Sequence, residues 1–204
     1  MVARGRGVFP GRRGNRPSYL IVGIGNPGPA YARTRHNVGT RLVELLAEQS
    51  GAELKRTRGQ ARVAEAEIDG HAVVLAVPTT YMNESGRPVA RLVRKQGISP
   101  DRLVVVQDEL DLSPGTVRLK VGGGTAGHNG LESIQAALRS RDFLRLRIGV
   151  GKPPSKEEGA DHVLSRMRPE DAEAVEGAIE RGLEAMRVLV RDGVDAAQNL
   201  LHAR

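Results

Sequence analysis

The run from Tyr19 to Gly39, YLIVGIGNPGPAYARTRHNVG, constrains this chain more than any other stretch. It opens on Tyr19-Leu20-Ile21-Val22, a short apolar run of the kind a buried strand needs. Gly23, Gly25, Pro27, Gly28 and Pro29 then break regular structure and hold the backbone in a tight loop. Val38, Leu42, Val43, Leu45 and Leu46 follow at helical spacing up to Ser50-Gly51. The stretch therefore predicts strand, loop, helix. Asn26 and the cluster Arg35-His36-Asn37 are displayed at the strand's carboxyl end, where open α/β sheets hold their ligands.

Gly23, Gly25 and Gly28 also satisfy G-x-G-x-x-G, the dinucleotide-binding pattern. Pro27 and Pro29 argue against it, because they crowd the place where a pyrophosphate-binding helix begins and lack the N–H that such a turn donates. The acidic residue required about 20 positions further on falls in Glu44 to Glu48, inside the expected helix. A nicotinamide-dependent oxidoreductase is the weaker reading, and the loop histidine is the better lead.

With 204 residues the chain is long enough for one substantial core. Only 2% of it is aromatic, so that core must come from Val, Leu, Ile and Ala, and base-stacking platforms are disfavoured. The formal charge of +7 suits an anionic partner such as nucleic acid, or a generally arginine-rich proteome. Absence of cysteine removes disulfides, thiolate catalysis and Cys-based zinc sites together. No run approaches the ~18 apolar residues of a membrane span. Residues 1–18 carry five arginines and no acid but lack the apolar stretch of a secretory signal. They are expected to be a disordered basic extension, or translation from an upstream start codon, preceding a catalytic domain over residues 19–204. The expectation is a cytoplasmic monomer.

Further along, Arg62–Ile68 and His71–Val77 predict two strands joined at Asp69-Gly70, a hairpin signal. Thr79–Glu84 is a loop, and Ser85 is placed to cap a helix running to about Gln96. Leu103–Gln107 predicts a central strand ending in Asp108-Glu109-Leu110-Asp111. Thr116–Val121 is a strand after the Pro114-Gly115 turn. The glycine-rich loop from Gly122 to Gly130 leads into a helix at Leu131–Leu138. Leu144–Val150 is a strand, Lys152 through Gly159 a loop, Pro169 to about Asp192 a long helix and Asp195–Ala203 a shorter one. The alternation predicts one α/β domain around a mixed sheet.

Four loops concentrate polar groups: Asn26/His36/Asn37, Met82-Asn83, Asp108/Asp111 and His128-Asn129. A sheet that sets these strand ends side by side gathers them around one cleft. His36 with Asp108 is then a candidate general-base pair, the carboxylate fixing one ring nitrogen as N–H and leaving the other to take a proton from water, with a histidine that caps its loop the competing reading. G-x-S-x-G is absent, which favours activated water over a covalent intermediate. Asp108 and Asp111 are alternatively a Mg²⁺ pair, with Asp111 as a turn residue the competing reading. Asn83 and Asn129 offer amides to a substrate carbonyl or serve local turns, and Met82 is either core gap-filler or adaptable apolar contact. Arg118, Lys120, Arg145 and Arg147 make a phosphate-binding patch if they share a sheet face.

Gly23-Ile-Gly-Asn-Pro-Gly28, Tyr31 and Thr34-Arg-His-Asn37 with Gly39 together resemble the opening signature of bacterial peptidyl-tRNA hydrolases. Pro78 to Gly86, PTTYMNESG, resembles that family's second block. Asp108 to Leu112 with Gly122-Gly-Gly and Gly127-His-Asn-Gly-Leu131 resembles the third, and Arg145 to Gly151 the strand that follows. The resemblance spans about residues 19–200. It implies a single α/β domain with a mixed twisted β-sheet flanked by helices, hydrolysing the ester between a peptide and tRNA without a metal or cofactor. By motif position it implies His36 as general base and Asp108 as its orienting partner. Asn26, Tyr31, Met82, Asn83 and Asn129 would be substrate-binding, and Lys120 and Arg147 would clamp the tRNA phosphate. Val38 and Thr125-Ala126 depart from the smaller residues many members carry there. The alternative is a catalytically silent tRNA- or RNA-binding protein of the same fold.

Overall fold

The computed structural model describes residues 17–153, 155 and 158–202, so the basic extension expected over residues 1–18 lies outside the described residues except at its end. Ser18 already belongs to the folded domain, since its N–H and hydroxyl both donate to the Ala72 carbonyl.

The strands are β1 (Tyr19–Gly23), β2 (Lys55–Arg56), β3 (Ala61–Ile68), β4 (His71–Pro78), β5 (Leu103–Glu109), β6 (Val117–Val121) and β7 (Leu144–Gly149). The helices are α1 (Val38–Gln49), α2 (Gly86–Gln96), α3 (Asn129–Leu138), α4 (Gly159–Leu164), α5 (Pro169–Asp192) and α6 (Val194–His202). The sheet runs β2-β3-β4-β1-β5-β7-β6. β4, β1, β5 and β7 are mutually parallel, whereas β2, β3 and β6 pair antiparallel at the two margins. The mixed sheet expected from the sequence is therefore present, and the parallel strands end on one edge.

Helices cover both faces. Leu42 and Leu46 of α1 and Ile179 and Leu189 of α5 pack with Val104 and Val106 on one side. Val89 and Leu92 of α2 and Leu131 and Ile134 of α3 pack with Leu103 and Val105 on the other. Every residue of β1 and β5 is buried, which is why both read as unbroken apolar runs rather than alternating ones. Each fully buried Val or Leu contributes about 1.5–3 kcal/mol relative to exposure. Phe143 and Tyr19 are the aromatic rings buried among the described residues of an otherwise aliphatic core.

Asp69 and Gly70 turn the β3–β4 hairpin with φ of 48° and 79°, the left-handed pair of a type I′ turn. Ser85 does not cap α2 as expected. It is helical itself, and its hydroxyl donates to the Met82 carbonyl at 2.8 Å, because the chain enters α2 through a 3-10 turn at Met82–Glu84 rather than from extended backbone. Two elements have no counterpart in the sequence expectation: the short strand β2, and α4, which begins at Gly159 where the expected loop ends.

What positions the loop after β1 is a close approach of backbones. A Cβ at Gly39 would overlap the Val106 carbonyl of β5, and one at Gly23 would overlap the Gly39 carbonyl. Glycine at both places lets the first turn of α1 lie directly on the sheet. Gly39→Ala is expected to lower unfolding free energy by about 3 kcal/mol through overpacking against backbone. Gly159→Ala, where no atom lies within 4 Å, should change it by no more than about 0.5 kcal/mol. Urea titration of both variants checks the contrast.

Candidate active site

The loop leaving β1 is still bonded to the sheet at Ile24, whose N–H donates to the Val106 carbonyl at 3.2 Å. Asn26 and Asn37 then lock together. The Asn26 N–H donates to Asn37 Oδ1 and Asn37 Nδ2 donates to the Asn26 carbonyl, each at 2.9 Å. The Asn26 side-chain oxygen accepts from the Met82 N–H at 2.8 Å. That last bond fixes the amide's orientation: its oxygen is used within the protein, so its NH₂ is the end left for a ligand.

Between these asparagines a 3-10 turn, Arg35–Asn37, carries His36 over the end of β5. His36 Nδ1 lies 2.9 and 3.0 Å from the two carboxylate oxygens of Asp108. Asp108 is 2% exposed and still within β5, rather than beyond it as the sequence suggests. A second imidazole meets the same carboxylate: His128 Nε2 lies 3.0 Å from Asp108 Oδ1. The two rings are 5.0 Å apart. Burial alone would raise the Asp108 carboxyl, but the charges and hydrogen bonds of His128 and then His36 outweigh it and hold the group well below the usual carboxylate range. An ionised carboxylate only accepts, so the nitrogens facing it carry protons. His36 is thereby an Nδ1–H tautomer with its Nε2 lone pair free.

The turn is also anchored from behind. The buried Arg35 guanidinium reaches Ser165 Oγ at 2.8 Å, the Arg166 carbonyl at 3.1 Å and Asp171 Oδ2 at 3.4 Å, tying the turn to the segment joining α4 and α5. Thr34 bridges Arg166 beside it.

The other expected site residues divide clearly. Asn83, in the middle of the 3-10 turn after β4, and Asn129, the first residue of α3 and next to His128, are both exposed. Tyr31 is half-buried, and its carbonyl accepts from the Thr34 N–H and hydroxyl at 3.0 and 2.8 Å, closing the turn before His36. Met82 is only 4% exposed and packs with Ile24 and Leu131, as a core gap-filler does. Asp111 stays exposed and pairs with Lys152 at 3.0 Å, whereas Asp108 is buried against the two imidazoles. His36, Asp108 and His128 are the grouping with metal-like spacing among the described residues. The Gly130 N–H donates to His128 Nδ1 at 3.2 Å, so the ring proton sits on Nε2 and leaves no lone pair there for a metal.

Arg118, Lys120, Arg145 and Arg147 do share a sheet face, since Arg118 stands opposite Arg147 and Lys120 opposite Arg145 across β6 and β7. They are not equivalent. Arg145 is buried and props the glycine loop through the Gly122 and Gly124 carbonyls. Burial, with Arg147 alongside, lowers its guanidinium from the ordinary value. Arg118 bonds the Leu201 carbonyl of α6 at 2.8 Å, and Arg147 Nε is held by Glu109 at 2.8 Å. Lys120 is exposed. A cavity of about 1050 Å³ adjoins Asn26 and Asn37, but neither histidine lines it. Sequence reasoning placed His128 in a polar loop without giving it a partner. Its position just before an apolar helix was the available signal.

A family model described as peptidyl-tRNA hydrolase matches residues 20–204. The chain is 47% identical over 185 residues to the peptidyl-tRNA hydrolase of Mycobacterium sp. (strain KMS), covering 90% of this chain and 96% of that protein. It is likewise 47% identical over 184 residues to that of Nocardia farcinica (strain IFM 10152), covering 90% and 95%. The crystal structure of peptidyl-tRNA hydrolase from Acinetobacter baumannii superposes with a TM-score of 0.89 at 42% identity, covering 93% of this chain and 98% of that one.

The depressed Asp108 carboxyl makes stability depend on acidity in a definite sense. An unfolded aspartate takes up a proton near pH 3.9, while the folded one resists. Its contribution is therefore full above about pH 4 and is lost as pH falls below it. Urea melts between pH 5 and pH 2 should show a shallower acid loss for Asp108→Asn than for the parent chain.

Proposed function

The chain belongs to the peptidyl-tRNA hydrolase family and hydrolyses the ester that joins peptide to tRNA, and from that premise we propose that His36, held by Asp108, is the base that activates the attacking water. The observation carrying this reading is the two-oxygen contact of Asp108 with His36 Nδ1, which leaves Nε2 free. Water gives a proton to Nε2, and the resulting hydroxide adds to the ester carbonyl carbon. The tetrahedral intermediate then collapses, breaking the bond to the ribose oxygen, which leaves with the proton from the imidazolium. Asp108 remains an acceptor throughout and stabilises the charged ring.

Asn26 presents its NH₂ toward the carbonyl oxygen, an assignment supported by the Met82 N–H that occupies its own oxygen. Asn83 and Asn129 contact substrate around the ester, Tyr31 shapes the entrance, and Met82 supports the cleft floor. Amide donors of this kind read peptide backbone and ester, which suits a nascent peptide of any sequence. Lys120 and the outward N–H groups of Arg147 hold a tRNA phosphate, placing the nucleic acid toward the β6–β7 margin. No helix among the described residues is long and apolar enough to cross a membrane, and a substrate made by ribosomes suits the cytoplasm.

Release of peptide from an N-blocked aminoacyl-tRNA tests the assignment. With EDTA present, the parent chain is expected to cleave at an undiminished rate, and His36→Ala to lose roughly 10²–10⁴-fold in kcat with little change in tRNA affinity. Abolition by EDTA would return the carboxylates to a metal role, and a folded parent chain that binds tRNA without cleaving it would make this a silent RNA binder. Lys120→Ala should instead weaken tRNA binding and lower the slope of log affinity against log salt by about one, with kcat at saturation retained.

A further inference from the structure

The Asp108 carboxylate is shared, and the second partner is locked. His128 sits at the N-cap of α3, where its Nδ1 accepts from the Gly130 N–H at 3.2 Å while its Nε2 faces Asp108 Oδ1 at 3.0 Å. The first contact decides the second. A backbone N–H can only donate, so the Nδ1 opposite it must be a lone pair, and the single proton of the neutral ring is left on Nε2. A histidine used as a helix cap is thereby committed as a hydrogen-bond donor to the carboxylate. Glycine at position 130 is required for the arrangement, because a Cβ there would overlap Met82 Sδ and crowd the His128 ring.

We propose that His128 is a positioning residue for the hydrolysis: capped into its Nε2–H form by α3, it pins the Asp108 carboxylate, which in turn holds His36 with Nε2 facing substrate. The proposal rests on the His36 reading above and extends it to the opposite layer of the fold. His36 arrives from the turn before α1, on one face of the sheet, and His128 from the start of α3, whose Leu131 and Ile134 pack on the other. Asp108 at the sheet edge is gripped from both. Without His128, the carboxylate keeps His36 as its single ring partner and can rotate about its own side-chain axis. His128 cannot itself be the base while capped, since both ring nitrogens are engaged.

Two substitutions separate the contacts. In His128→Asn the shorter amide places an oxygen near Nδ1, so it keeps the cap but cannot reach Asp108. In His128→Gln the longer amide places an NH₂ near Nε2, so it restores the donor. His128→Asn is expected to melt within a few degrees of the parent chain while losing about 10–100-fold in kcat, the scale of one hydrogen bond to a charged group, with KM little changed. His128→Gln should recover most of that turnover. Nitrogen-15 spectra of the ring at neutral pH should show His128 protonated on Nε2 alone. Full turnover in His128→Asn would overturn the proposal by reducing His128 to a helix cap. A Gln variant as slow as Asn, or a ring protonated on Nδ1, would also overturn it. Loss of turnover in His36→Ala beside full turnover in His128→Asn sinks the positioning role alone, whereas full turnover in His36→Ala sinks the mechanism beneath it.

Discussion

A carboxylate removed from water must be met by donors or give up its charge, and the architecture around Asp108 follows from that requirement. At 2% exposure it is satisfied by two imidazoles from different layers of the fold. One belongs to the turn before α1, the other to the first residue before α3. Neither helix can shift along the sheet without stripping a partner from a buried charge. The geometry of the proposed site and the packing of both layers are in this sense one constraint.

The backbone makes that constraint attainable. Four parallel strands bring their carboxyl ends to one edge, and glycines at 23 and 39 let α1 lie against β5 with no side chain between. The asparagine pair then does for the loop what a ladder does for a strand. Asn37 supplies both a donor and an acceptor to the Asn26 backbone. Asn26 spends its own oxygen on Met82. A loop with three such bonds has little freedom left, and its free NH₂ points in a direction set before any ligand arrives.

Much of this was legible in the residues, for reasons that can be named. The Asp69-Gly70 turn declares itself because few residues adopt positive φ in succession. The long α5 helix was bounded correctly by Pro169 at its first turn and Gly193 after its last. The His36–Asp108 pair was legible as two polar clusters at the ends of apolar runs, on the condition that the sheet set those strands side by side, as β1 and β5 are. What escaped was held by distant contacts. β2 is two exposed residues with no apolar pattern, and α4 is six residues with none buried. The partnership of His128 with Asp108 depends on α3 beginning over the end of β5, which no spacing along the chain expresses. The four cations did share a face, but their separate fates (prop, helix tie, ion pair, exposed ammonium) were decided by neighbours up to 83 residues away.

The Arg35 clamp has a consequence for how such a molecule comes into being. Its anchors stand 130 to 136 positions further along the chain. A growing polypeptide that has already formed β1, the turn and α1 still lacks Ser165 and Asp171, and Arg35 has nothing to hold. The contacts that hold the turn bearing His36 can therefore form only after Asp171 has been made. Until then this chain is itself a peptide esterified to tRNA, of the very class it cuts, with its own cutting edge unfinished.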